Sequence, residues 1–301
     1  MEKYMGIDIG GTNIKIGIVD RQGGMESKIK YSTGPLAKSK DFVKGLLDIL
    51  DSEYAKHPYI RETGIGIPGT LSADRSACVE IAAIPVLNGV ELKKALMTRF
   101  PNKEFHLEND ANVAALGEYY FSGANVPESY LFVTLGTGVG SAAIINKKIF
   151  LGGDGNAMEL GHILSKNGKE LEENIGKIGL VKRAGKLLEK KKSTLSKHKD
   201  LDPKVIVEEA LKGDKVSIKI WKEVGELLGE GLVATIRLLD IKTILIGGGL
   251  SASFDLIIDK LNETLEYNLT PYYTKSIVIK KAELGNNAGI IGAASLCFKQ
   301  D

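Results

Sequence analysis

The sequence predicts an α/β protein built from two similar domains, and three observations carry this. A strand, a glycine turn and a second strand occur at the start of the chain and again near its middle, at a fixed offset of 126 residues: Asp8 meets Thr134, Gly10 meets Gly136, and Gly17-Ile18-Val19 meets Ala143-Ile144-Ile145. Short apolar runs ending in glycine or proline alternate with stretches of helical apolar spacing. The length of 301 residues suits two domains. Two copies of one unit, each opening a half of the chain, point to an internal duplication.

Residues 4–9 (YMGIDI) read as a buried strand, Gly10-Gly11 as a turn and 14–19 (IKIGIV) as a second strand, with a third possible over 27–31. Residues 39–55 place Phe42, Val43, Leu46, Leu47 and Leu50 on one helical face. A strand over 63–67 ends at Pro68-Gly69. Helices are expected over 91–100 and 111–120, on either side of a strand at 105–107. The pattern then restarts with strands at 130–135 and 141–146 around Gly136-Thr137-Gly138. The remainder is mostly helical, over 170–190, 204–212, 215–239, 251–267 and 287–298, with strands at 243–246 and 276–280.

Composition excludes several classes. Forty basic against 38 acidic residues leave a net charge of +2, which gives no reason to expect nucleic acid or an acidic membrane surface as partner. The lysine-rich stretch from Lys186 to Lys199 reads as a solvated helix end and loop. Cys78 and Cys297 stand too far apart for a zinc motif or a disulfide framework. No apolar run has the length of a membrane span, and the first residues carry no signal-peptide pattern, so a cytoplasmic protein is expected.

Five constellations can carry chemistry. The first is Asp8-Ile9-Gly10-Gly11-Thr12-Asn13-Ile14-Lys15. Phosphate binding needs backbone N–H groups with no Cβ in the way, and an Asp at a strand end can hold Mg²⁺ through water. A plain hairpin turn explains the glycines equally well. The turn is no P-loop, because it leads into a strand and lacks the Gly-Lys-Ser/Thr ending. The second, Thr134-Leu135-Gly136-Thr137-Gly138-Val139-Gly140, is weak alone; paired with the first it suggests a clamp on a polyphosphate. The third, Gly247-Gly248-Gly249 after the strand at 243–246, suits an adenosine or simply a strand-to-helix turn. The fourth, Glu108-Asn109-Asp110-Ala111-Asn112, stands at a helix N-terminus, which favours an ionised carboxylate, as a base requires, or an ordinary cap. The fifth, Glu159-Leu160-Gly161-His162 with Glu172-Glu173 downstream, suits sugar hydroxyls or a structural histidine.

Together these segments resemble the ROK family of sugar kinases and repressors, within the actin-like (ribonuclease H-like) ATPase superfamily. DIGGTNIK, GIPG at 66–69, ENDANVAALGE at 108–118, TLGTGVG, ELGH and ILIGGG stand in the family's order over essentially the whole chain. The resemblance implies two actin-like domains, each a mixed sheet flanked by helices, with the ligand cleft between them: residues 1–111 with 288–301, and residues 112–287. It implies that Asp110 takes the proton from a sugar's primary hydroxyl as that oxygen attacks the γ-phosphorus of ATP. Asn109 would hold a ring hydroxyl, Gly69 and Asn88 would line the same cleft, and Glu159, His162 and Glu172 would contact further hydroxyls. ATP and Mg²⁺ would engage Asp8, Gly10, Gly11, Thr12, Lys15, Thr134, Gly136, Thr137, Gly138 and Gly247 to Gly249. Asp8 would hold the metal. A homodimer is expected.

One departure stands out. Many members follow the Gly-His pair with cysteines that bind zinc together with that histidine, whereas residues 163–171 (ILSKNGKEL) contain none, so no structural zinc is expected. A repressor would need an N-terminal helix-turn-helix, and the first strand already begins at residue 4. A sugar sensor without activity would be favoured if Asp110 were missing. The ELGH and ENDAN segments argue against a chaperone or filament ATPase. Among kinases glucose is favoured, with N-acetylmannosamine, N-acetylglucosamine, fructose, mannose and β-glucosides as alternatives.

Overall fold

A computed structural model of the chain describes residues 2–39, 41–123 and 126–298. Residue 40, inside the first predicted helix, and residues 299–301, at the end of the predicted N-terminal domain, lie outside the described residues.

The first half contains β1 (Lys3–Ile9), β2 (Asn13–Asp20), β3 (Met25–Ser32), α1 (Thr33–Lys38), α2 (Phe42–Lys56), β4 (Glu62–Ile67), β5 (Thr70–Leu71), β6 (Cys78–Glu80), α3 (Leu92–Arg99), β7 (Glu104–Asn109) and α4 (Asp110–Phe121). Then follow β8 (Tyr130–Leu135), β9 (Val139–Ile145), β10 (Lys148–Ile149), α5 (Leu171–Ile175), α6 (Lys177–Leu188), α7 (Pro203–Leu211), α8 (Lys215–Leu239), β11 (Thr243–Gly247), α9 (Phe254–Asn268), α10 (Pro271–Thr274), β12 (Val278–Lys281) and α11 (Ala288–Ser295). The fold is mixed α/β with two five-stranded sheets flanked by helices. Their orders, β3-β2-β1-β4-β7 and β10-β9-β8-β11-β12, repeat strand for strand. The internal repeat is therefore one of topology as well as of sequence.

The described residues form two compact units, those within 2–128, 142–158 and 286–298, and those within 129–141 and 159–285. In the first unit β1 pairs antiparallel with β2 and parallel with β4, and β4 pairs parallel with β7. The register sets Asp8 beside Gly66 and Gly66 beside Glu108, so the carboxyl ends of three parallel strands come level. Such ends are where open α/β sheets bind ligands. The apolar face of α2 buries Phe42, Leu46 and Leu50 completely or nearly so, as its spacing predicts.

Helix α11 explains why its sequence is rich in small residues. It lies so close to the sheet that a Cβ on Gly64 would sit 1.7 Å from the Ala293 carbonyl oxygen, and one on Gly6 would sit 2.0 Å from that of Ile290. Its own Gly292 approaches α4 equally closely, since a Cβ there would lie 1.6 Å from the Val113 carbonyl oxygen. In the second unit α8 and α9 cross with similar intimacy at Gly225, whose Cβ would meet the Ile257 carbonyl at 2.4 Å.

The helix expected over 170–190 is two helices. Gly176 is extended and donates to the Glu172 carbonyl at 2.7 Å, and Lys177 then starts α6 by donating to the Thr137 carbonyl at 3.0 Å. A Cβ on Gly176 would lie 3.1 Å from that same Thr137 oxygen, so the break seats the chain against the second glycine turn. The segment at 251–267 opens as a single 3₁₀ turn, Ser251–Ser253, before α9 begins. The predicted helix over 39–55 starts at Phe42, after the separate short helix α1, which apolar spacing did not signal.

Candidate active site

The first turn joins β1 to β2 with Asp8 opposite Lys15, and Lys15 Nζ lies 2.7 Å from Asp8 Oδ2. Gly10 N–H closes the turn on the Asn13 carbonyl at 2.9 Å. Thr33, fully buried, supports the turn from behind: its hydroxyl donates to the Gly10 carbonyl at 2.6 Å and its N–H to that of Thr12 at 3.0 Å. Gly11 and Thr12 are left exposed. The Asp8 carboxylate rests against the first turn of α11, where a Cβ on Gly289 would stand 2.7 Å from its Cγ and 2.9 Å from Oδ2. Neither Thr33 nor Gly289 is signalled by the turn's own sequence, because both contacts are made by distant segments.

The fourth constellation forms the junction of β7 and α4. Asn109 is the N-cap; its Oδ1 accepts from the N–H groups of Ala111 at 2.8 Å and Asn112 at 3.2 Å, and its Nδ2 donates to the Gly69 carbonyl at 3.2 Å. Asp110 is the first helical residue, half-buried, and accepts from Ala111 N–H at 2.8 Å. Gly66 lets the helix start close to the sheet, since a Cβ there would lie 3.7 Å from the Asp110 Cα and 2.6 Å from a Val113 methyl. Gly69 has φ of +87°, and a side chain there would strike the Glu80 carbonyl at 2.4 Å. Asn88, exposed, accepts from Ile81 N–H at 2.7 Å and so fixes the loop behind Gly69. The structure thus brings Gly69, Asn109 and Asp110 together, with Asn88 as a support.

Beneath this junction lies an ion pair that sequence reasoning missed. Arg75 Nε lies 2.9 Å from Glu108 Oε2, with side chains 13% and 6% exposed. Glu108 Oε1 accepts from Asn109 N–H at 2.8 Å and from Asn112 Nδ2 at 2.9 Å. Arg75, at φ of +56°, also donates to the Ser72 carbonyl at 3.2 Å and to the Gly155 carbonyl. A buried carboxylate needs a counter-charge, but only the fold reveals that a residue 33 positions earlier supplies it.

In the second unit, register pairs Gly247 with Thr134, so the second and third glycine clusters are neighbours at the carboxyl ends of β11 and β8. Gly248, at φ of +91°, backs onto Thr134 and Leu135, and Leu250 N–H donates to the Leu135 carbonyl at 2.9 Å. Gly136 donates to the Gly138 carbonyl at 3.0 Å. A Cβ on Gly136 or Gly249 would meet nothing within 4 Å, so both turns face open space. These turns, like the exposed Gly11-Thr12 backbone beside the Asp8 carboxylate, fit polyphosphate and its magnesium.

Glu172 and the ELGH segment converge on Val139. Val139 N–H donates to Glu172 Oε2 at 2.8 Å, and the carboxylate fills the space where a Cβ on Gly138 would be, 2.1 Å from Oε2. Gly161 packs on the other side, where a Cβ would lie only 2.2 Å from the Val139 carbonyl oxygen. Glu172, expected among the sugar contacts, is therefore seated on the second glycine turn. Glu159 precedes the single turn Leu160–His162, whose end places the imidazole between carboxylates: Nδ1 lies 2.8 Å from Glu170 Oε2, and Nε2 lies 3.9 Å from Glu159 Oε2. A metal would take one ring nitrogen, yet these carboxylates flank opposite nitrogens and no thiol joins them, so the donor set around His162 does not fit zinc. The described residues that do gather a possible metal-binding trio are Glu62, His106 and Cys297, in the first unit.

Comparison with known proteins bears on what this arrangement does. The model of the ROK family matches residues 4–300. A structure from Cytophaga hutchinsonii, of a protein proposed to be a sugar kinase, is 37% identical with a TM-score of 0.91, covering 99% of this chain and 100% of that one. A ROK family glucokinase from Streptomyces griseus, solved with glucose and AMPPNP, is 29% identical with a TM-score of 0.79, covering 98% of each chain. The N-acetyl-D-glucosamine kinase of Mannheimia succiniciproducens is 31% identical, over 97% of this chain and 98% of its own length.

Proposed function

Because the chain belongs to the ROK family, and sugar kinases are among the relatives that match it along nearly its whole length, we propose that it transfers the γ-phosphoryl group of ATP to the 6-hydroxyl of a hexose, with glucose as the sugar. The observation that carries this reading is the β7–α4 junction, where a half-buried Asp110 stands at the head of a helix beside the Asn109 cap. Support for glucose comes from the glucose and AMPPNP bound by the Streptomyces griseus relative.

In this proposal Asp110 is the base, the turns at Asp8–Lys15 and Thr134–Gly138 bind phosphate, Gly247 to Gly249 lie on the nucleotide side, and Glu159, His162 and Glu172 contact sugar hydroxyls. Asp110 accepts the proton of the attacking hydroxyl while Ala111 N–H holds its Oδ1. Asn109 Oδ1 is spent on the cap and one Nδ2 hydrogen on Gly69, which leaves its second N–H for a ring hydroxyl. Phosphoryl transfer passes through a loose transition state, so alignment and charge neutralisation dominate. Magnesium, when bound, neutralises charge on the phosphates, and Asp8 is the residue proposed to hold it. Lys15 Nζ holds Asp8 Oδ2 at 2.7 Å and adds positive charge beside it. The proposal includes cytoplasmic action and a homodimeric state.

A panel of glucose, N-acetylglucosamine, N-acetylmannosamine, fructose, mannose and a β-glucoside tests the substrate. Glucose is expected to show the highest kcat/KM; a higher value for an N-acetylated sugar would replace glucose but keep the kinase. Gly289→Ala tests the metal-side assignment. The new methyl displaces the Asp8 carboxylate, so KM for MgATP is expected to rise about tenfold, with KM for sugar unchanged. An unchanged KM for MgATP would remove Asp8 from the phosphate site.

A further inference from the structure

We propose that Glu170 is a positioning residue that orients His162 for the sugar; this rests on the reading above that His162 contacts sugar. The backbone sets the two side by side. Residues 163–171 form a tight hairpin in which Leu164 pairs with Glu170, Ser165 N–H donates to the Lys169 carbonyl at 2.7 Å and Leu171 N–H to the Ile163 carbonyl at 3.0 Å. Asn167 and Gly168, at φ of +63° and +66°, make its tip. The hairpin ends where α5 begins, and there Glu170 is the N-cap residue: its own N–H donates to Glu173 Oε2 at 3.0 Å, and Asn174 Nδ2 donates to its carbonyl at 3.1 Å. Its backbone is thus fixed at several points, and its side chain reaches Nδ1 of His162 at 2.8 Å.

The chemistry follows from which nitrogen is held. A carboxylate accepts only, so Nδ1 carries the hydrogen and donates to Glu170. The ring plane is fixed, and Nε2 is left as the atom available to a ligand. Both side chains remain about half exposed, at 56% for His162 and 44% for Glu170, as a ligand-facing pair must be. Two carboxylates flank the ring, Glu170 at Nδ1 and Glu159 at 3.9 Å from Nε2, and the charge of Glu172 acts on it as well. The Glu170 hydrogen bond, foremost, raises the His162 pKa above its ordinary value, with the charges of Glu170, Glu159 and Glu172 adding to it. In the imidazolium form Nε2–H is a donor to a sugar hydroxyl oxygen.

The test compares Glu170→Gln, Glu170→Ala and His162→Gln with the unaltered protein, reading KM for sugar, KM for ATP, kcat and the pH dependence of kcat/KM for sugar. The two Glu170 variants are expected to raise KM for sugar about tenfold, the loss of one charge-assisted hydrogen bond, with KM for ATP unchanged. Removing the carboxylate lowers the His162 pKa, so the decline of kcat/KM on the alkaline side should start at lower pH in both variants. A purely structural loss would alter kcat or thermal stability without moving that limb. If His162→Gln weakens sugar binding while both Glu170 variants keep KM and the pH limb, Glu170 is no positioning residue and the kinase reading stands. If His162→Gln leaves KM for sugar unchanged, the sugar contact itself is wrong, and the proposal for Glu170 falls with it.

Discussion

Asp110→Asn is expected to lower kcat by about 10²- to 10⁴-fold, the range that a positioned general base contributes, with the fold and KM for ATP unchanged. The substitution is close to isosteric. It keeps an oxygen to accept from Ala111 N–H, so the start of α4 should survive. What disappears is the second carboxylate oxygen's ability to take a proton. Steady-state kinetics with circular dichroism as a folding control decides it: near-full activity in Asp110→Asn would remove Asp110 from the role of base. Loss of activity together with loss of helix would show instead that the residue serves mainly as part of the cap, the alternative that its position at a helix N-terminus always allows.

Arg75→Met is expected to cost about 3–5 kcal/mol of stability, because it strands the Glu108 carboxylate in a buried site without its counter-charge. Glu108 also receives Asn109 N–H and Asn112 Nδ2. Its displacement therefore disturbs the residue before Asp110, the proposed base, and kcat should fall along with stability. Adding Glu108→Gln removes the stranded charge while keeping an acceptor for both donors, so the double variant should regain much of the loss. Urea denaturation of the single and double variants measures this. A change below about 1 kcal/mol in Arg75→Met, the range of an exposed pair, would show that water reaches the site and that the ion pair holds nothing.

These two residues mark what the chain's sequence discloses and what it hides. The β7–α4 junction was legible because its signals are local: a strand, a capping Asn-Asp and a helix follow one another within a few residues. The duplicated glycine turns were legible for the same reason, and the identical strand order of the two sheets extends that repeat through five strands each. Arg75 was not legible. It stands at positive φ in a loop between short strands, and its partner belongs to another element. Gly289 looked like one more small residue of a small-residue helix; only the packed structure shows the Asp8 carboxylate lying against it. The break at Gly176 was hidden because apolar spacing continues across it, while the extended backbone there answers to the Thr137 carbonyl, 39 residues earlier in the chain. In the ELGH segment, the missing cysteines were visible in the sequence. The hairpin that brings Glu170 to His162 was not, since nothing in residues 163–171 announces which side chain will reach the imidazole.

The two sheets also explain why a single position such as Gly138 carries so much. Its lack of a side chain makes room for the Glu172 carboxylate, which in turn caps Val139 N–H. The second glycine turn and Glu172 are therefore linked through the start of β9.

The most direct test of the kinase assignment is to incubate the protein with MgATP and glucose and to locate the transferred phosphate by phosphorus NMR. The proposed chemistry gives a phosphate ester on the 6-hydroxyl, formed in step with ADP and lost in Asp110→Asn. ADP formed with no phosphorylated sugar, across glucose and the other sugars of the panel, would contradict it.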